Sequence, residues 1–115
     1  MHFQKSPHEE TKMIRCTKGK IFDVIVDMRK NSSTFKKWFS VELSDENHKI
    51  LYIPKGIAHG FQTLVNNTEV FYQISEYYDY DLAYGIRWND PELSINWPLE
   101  ITLMSERDKN YAYIS

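Results

Sequence analysis

The sequence predicts an all-β fold, an antiparallel sandwich or barrel, on three observations. Alternating strand-like runs recur about every 8–12 residues with turn residues between them. Aromatic residues make up 15% of the 115 residues, with eight Tyr, six Phe and three Trp, while Gly and Pro number four each; aromatic and β-branched side chains suit a pleated, half-buried surface. Helical spacing is absent except near SERDKNY (105–111), which reads as one short turn.

The elements follow in order. KMIRCT (12–17) meets the turn KGK (18–20), and IFDVIVDM (21–28) runs into KNSS. KWFSVEL (37–43) ends at SDENH, ILYIP (50–54) at PKG, and HGFQTLV (59–65) at NNT. EVFYQISEYY (69–78) then enters an acidic, tyrosine-rich loop. No linker, repeat or low-complexity tract interrupts the pattern, so residues 1–115 read as a single domain.

Alternation assigns faces, because successive strand side chains point to opposite sides. Phe22, Val24, Val26 and Met28 share one face of the 21–28 run. Ile21, Asp23, Ile25 and Asp27 share the other, which reads either as a solvent face or as the lining of a polar barrel interior. Lys12, Ile14 and Cys16 share a face. Tyr72 and Tyr78 have the parity of Val70 and Ile74, so both phenols are expected to look into one cavity.

Charge and cysteine content narrow the function classes. Fourteen Lys and Arg against 16 Asp and Glu give a formal net charge of -2, which supplies no basic field for nucleic acid or an acidic membrane. No apolar run reaches the roughly 20 residues that span a bilayer. Cys16 is the only cysteine, which removes an intrachain disulfide and fits a cytoplasmic location.

Four histidines, His2, His8, His48 and His59, raise the question of a metal. No His-x-His pair occurs, so no metal is expected. His8 beside Glu9 and Glu10, and His48 in SDENHK, read as solvated polar turns. IPKGIAHGF (53–61) is more informative: Pro54 and Gly56 make a tight turn, and His59 follows at the start of a strand, with Gly60 leaving room beside it. His59 reads as a buried, hydrogen-bonded histidine or as a pocket residue, and Tyr72 as core or as an acid.

Taken together, HFQ (2–4), the 12–38 run, IPKGIAHGF (53–61), VFYQISEYY (70–78), GIRWNDPELSINWP (85–98) and MSERDK (104–109) resemble the dTDP-4-dehydrorhamnose 3,5-epimerase family. The match runs in order along nearly the whole chain. The resemblance implies a cupin-type jelly roll, normally a homodimer, which inverts C3 and C5 of a dTDP-4-keto-6-deoxyhexose without metal or coenzyme. Removing a proton next to a ketone needs a base of near-neutral pKa and a group that holds the enolate oxygen. By position, the resemblance implies that His2 is the base, Asp108 its orienting carboxylate, Tyr72 the acid on the opposite face, and Lys12 the cation near the enolate. It implies substrate-binding roles for His59, for Tyr78 on the nucleotide base, for Gln4, and for Asp23, which is expected to hold Lys12.

The family's chain normally extends upstream of HFQ with an Arg-Gly pair before the histidine, whereas this sequence starts at Met1. The resemblance therefore implies an N-terminally incomplete chain: a longer epimerase with an internal Met1, a truncated remnant, or a short relative completed by a partner. HFQ and Lys12 are expected to form a strand pair at the site. Two alternatives to an epimerase are a non-catalytic sugar-nucleotide-binding cupin and a dTDP-sugar 3,4-ketoisomerase.

Overall fold

Alternating apolar residues and turn residues divide the chain into strands close to the positions expected. The computed structural model describes residues 1–114. Its described strands are β1 (His2–Gln4), β2 (Lys12–Lys18), β3 (Lys20–Asp27), β4 (Trp38–Ser44), β5 (Ile50–Ile53), β6 (Ile57–Thr63), β7 (Glu69–Ile74) and β8 (Ala83–Gly85), followed by one helical turn, α1 (Glu106–Lys109). Two turn glycines, Gly19 and Gly56, have φ near +80°, a conformation that a β-carbon disfavours.

Two antiparallel sheets face each other. A five-stranded sheet runs β4-β3-β6-β1-β8 and a three-stranded sheet runs β5-β2-β7. Ile14, Cys16, Ile21, Leu43, Ile53 and Ile57 fill the space between them at one end. The other face of the large sheet is also covered: Val24, Val26 and Ala58 pack with Ile86, Leu93 and Trp97 of the long C-terminal segment. Each fully buried Ile, Leu or Val contributes about 1.5–3 kcal/mol, so both faces of β3 anchor the fold.

This layering explains the 85–98 motif as architecture. Asp90 is buried and accepts hydrogen bonds from the backbone of Glu92 and of Ile114, which ties the turn to the end of the described chain. Trp97 Nε1 donates to the Trp88 carbonyl at 2.8 Å, and its ring meets Phe22 edge-on. The segment thus caps the outer face of β3 and β6. Its side-chain pattern has neither helical nor strand period, and alternation alone gave it no structure.

Several expectations need correction. β7 ends at Ile74, so Tyr78 belongs to the following loop. HFQ and Lys12 are not a strand pair: β1 pairs with β6 and β8, while β2 pairs with β5 and β7. They lie in opposite sheets, facing each other. Ile21, Asp23 and Ile25 line the barrel interior, with Asp23 fully buried. His59 is the third residue of β6, not its start, and Gly60 makes room on the opposite face, where Met1 packs against it. Among the described residues, no helix is long and apolar enough to cross a membrane.

Candidate active site

Beside the Ile-rich cluster the two sheets leave an open cleft of about 1000 Å³, with Ile14 common to both. His2, Tyr72, Asp108, Lys12, His59, Tyr78 and Gln4 all line it. Asp23 sits directly behind His59.

Strand register places the two histidines together. His2 on β1 is the cross-strand partner of His59 on β6, so both side chains leave the large sheet on its inner face. His2 Nε2 donates to Asp108 Oδ1 at 2.5 Å. His59 Nε2 donates to Asp23 Oδ2 at 2.9 Å. Each contact commits one ring nitrogen to a carboxylate and leaves Nδ1 for other work.

The two couples differ electrostatically. Burial pushes the Asp23 carboxyl up, and the hydrogen bond from His59 only partly offsets it. Burial also pushes Asp108 up, but the bond and charge of His2, with Ser105, outweigh it and hold that carboxyl below the ordinary value. His2 itself is lowered, first by burial and then by the Met1 amino group, against the pull of Asp108. The result is a neutral imidazole next to an ionised carboxylate at neutral pH, with the imidazole side chain still 52% exposed to the cleft.

The small sheet forms the opposite wall. Tyr72 on β7 pairs with Ile14 on β2, and its inward parity points the phenol into the cleft, where it remains exposed. Lys12, at the start of β2, does not pair with Asp23 as expected. Its Nζ lies 3.2 Å from Glu10 Oε1, and both side chains are nearly buried. Glu10 is therefore a cleft residue and not part of a solvated turn; its parity with Lys12 and Ile14 was the available signal. His8 and His48 are exposed, as expected.

Gln4 is buried and its amide is fully engaged: Nε2 donates to the carbonyls of His8 and Tyr77, and Oε1 accepts from Asp79 N. It fastens the loop that carries Tyr78 to β1. Tyr78 is exposed at the cleft mouth, with Arg107 Nη1 3.4 Å from its hydroxyl. Of the two basic side chains in the cleft, Lys12 is paired and Arg107 forms no ion pair among the described residues. Nothing in the alternation pattern pointed to Arg107, because α1 and not a strand carries it. Among the described residues, no cluster of three His, Cys, Asp or Glu side chains has the geometry of a metal site.

The family model described as dTDP-4-dehydrorhamnose 3,5-epimerase matches residues 1–115. The chain belongs to the dTDP-4-dehydrorhamnose 3,5-epimerase family. It is 44% identical over 111 residues to a dTDP-4-dehydrorhamnose 3,5-epimerase of Sinorhizobium fredii, covering 96% of this chain and 57% of that protein. It is 43% identical to one of Shigella flexneri, covering 96% and 61%. The chain thus spans about three fifths of the length of these epimerases. A crystal structure of the epimerase from Bacillus anthracis, with TDP and PPi bound, superposes with a TM-score of 0.95 at 49% identity, over 98% of this chain and 65% of that one. The Legionella pneumophila epimerase, in complex with dTDP-4-keto-L-rhamnose, superposes at 0.87 and 39% identity, over 93% and 57%. The architecture of this epimerase-family chain is accordingly the cupin-type jelly roll of those neighbours.

Proposed function

We propose that this chain carries the proton-transfer site of an epimerase that inverts C3, C5 or both in a dTDP-linked 4-keto-6-deoxyhexose, in dTDP-rhamnose or related deoxysugar biosynthesis. The observation that carries the reading is the opposition of His2 and Tyr72 across one cleft. Epimerisation removes a proton from one face of a carbon and returns one to the other, so base and acid must stand on opposite walls.

In this reading His2 Nδ1 takes the proton from the carbon next to the C4 ketone, and Asp108 stabilises the imidazolium that forms. The C–H electron pair moves into the enolate, whose oxygen faces the Lys12 ammonium held by Glu10. Tyr72 protonates the same carbon from the other side, and solvent later reprotonates the phenolate and takes the proton from the His2 imidazolium. His59, backed by Asp23, binds the sugar. Tyr78 stacks on the nucleotide base and Arg107 meets the diphosphate. Gln4 serves binding through the Tyr78 loop. The chemistry uses no metal or coenzyme.

Incubation with dTDP-4-keto-6-deoxyglucose in deuterated water is expected to place deuterium at C3 or C5, and His2→Ala to abolish the exchange. Thermal stabilisation by dTDP without any exchange would instead indicate a binding module. A product with the ketone moved to C3, read by NMR, would indicate a ketoisomerase.

We also propose a homodimer working in the cytoplasm. Met13, Ile50, Tyr52 and Phe71 are exposed together on the outer face of the small sheet, more apolar surface than a solvated sheet face needs. Sedimentation is expected to give a dimer, and Tyr52→Lys combined with Phe71→Lys to yield monomers.

A further inference from the structure

A base on a three-residue strand needs something to hold its ring. Asp108 supplies one contact to His2, at Nε2, which leaves the imidazole free to swing about that bond. The second contact comes from a residue with no role in the chemistry above. The Tyr111 ring meets the His2 ring edge-on, with centroids 5.9 Å apart and planes at 69°, the arrangement that aromatic quadrupoles favour.

Tyr111 is itself tightly placed. It lies flat against Gly85, the residue paired with His2 across β1 and β8. A Cβ at Gly85 would overlap three atoms of the Tyr111 ring, so this glycine is the seat of the ring. The Arg107 guanidinium lies 5.8 Å from the ring centroid. The Tyr111 hydroxyl is buried without a hydrogen-bond partner among the described residues by distance and angle, so its contact with His2 is made by the ring.

We propose that Tyr111, seated on Gly85, is the positioning residue that fixes the His2 ring for proton abstraction. Asp108 and Tyr111 grip the imidazole from two directions, and His2 lines the open cleft. Tyr111 is not among the residues that line the cleft. A base displaced by 1 Å loses rate steeply, because only a narrow range of approach geometries is productive. The proposal rests on His2 being the base, but its first test does not require turnover.

That test is NMR of the His2 ring in the 115-residue chain. The groups around His2 are Asp108 of α1, Tyr111 with Arg107 over its ring, Lys12 across the cleft, His59 on the adjacent strand and the Met1 amino group. With Tyr111→Ala, the His2 ring-proton signals are expected to lose the ring-current shift of the neighbouring aromatic. The midpoint of their titration should rise as water replaces the covering ring. Tyr111→Phe should restore both. Gly85→Ala, which leaves Tyr111 in the chain but displaces it, should reproduce the Tyr111→Ala signals. In the deuterium-exchange assay, Tyr111→Ala is expected to lower kcat about tenfold or more with KM little changed, and Tyr111→Phe to rescue it.

Unchanged His2 signals in a folded Tyr111→Ala or Gly85→Ala chain would overturn the proposal, as would failure of Tyr111→Phe to restore them. Altered signals without exchange, both in this chain and in one extended upstream by the family's Arg-Gly segment, would uphold the grip of Tyr111 on the His2 ring and overturn the epimerase reading instead.

Discussion

Asp108 and Asp23 each accept a hydrogen bond from a histidine, yet their surroundings push the two carboxyls in opposite directions. Asp108 is ionised well into the acidic range, which suits a partner for an imidazolium that forms in mid-reaction. In its proposed role as base His2 must be neutral, so activity should rise with pH through its titration. Because its pKa is lowered, that acid limb of kcat/KM should lie below about pH 6.5, the ordinary histidine value. Asp108→Asn removes a group that raises the His2 pKa. The limb should therefore move to still lower pH, while the maximal rate falls about a hundredfold or more as the ring loses its orienting acceptor. A limb that moved upward would contradict this account. Asp108 was legible in the sequence only through the family pattern, because nothing in an alternating chain links residue 2 to residue 108. Glu10 was legible by parity and was passed over because its neighbours His8 and Glu9 look solvated.

Strands were the most legible elements, since a two-residue period leaves a mark wherever one face is buried. In the 21–28 run of β3 alternation separates the Phe22, Val24, Val26 and Met28 face from the Ile21, Asp23, Ile25 and Asp27 face, but the carboxylates of the second leave the choice between solvent and interior open. Only the second sheet, in which the preceding strand β2 is joined by β5 and β7 from further along the chain, decides it. The loop after β3 was invisible to periodicity because Asp27 organises it through hydrogen bonds. The Asp27 carboxylate accepts from Arg29 backbone and guanidinium, from Ser32 and from Thr34. Arg29 first, then the two hydroxyls, hold its pKa far below the ordinary value even against burial. A depressed carboxyl contributes stability that is fully present above the unfolded value near pH 3.9 and is lost as pH falls through the folded one. Asp27→Ala is therefore expected to lower the melting temperature at pH 7 by about 5 °C or more. The deficit should narrow in strong acid, where the native carboxyl also becomes protonated.

At the scale of the whole molecule, the two walls of the cleft are supported unequally. The large sheet is packed on both faces, by the inter-sheet cluster and by the C-terminal segment. The small sheet is packed on one, with Met13, Ile50, Tyr52 and Phe71 open outside. Local opening follows the poorer packing. At dilutions that keep the chain single, backbone amides of β2, β5 and β7 should exchange hydrogen faster than those of β3 and β6, as mass spectrometry of the exchanged chain would show. Equal protection would mean that the inter-sheet cluster alone holds both walls. The arrangement is that of a bench vice. His2 and His59 ride the fixed jaw, and Tyr72 and Lys12 ride the moving one. Under the proposed function the grip on a ligand would be adjusted from the side of Tyr72 and Lys12, and a second copy that settled on the small sheet would tighten the screw without touching His2.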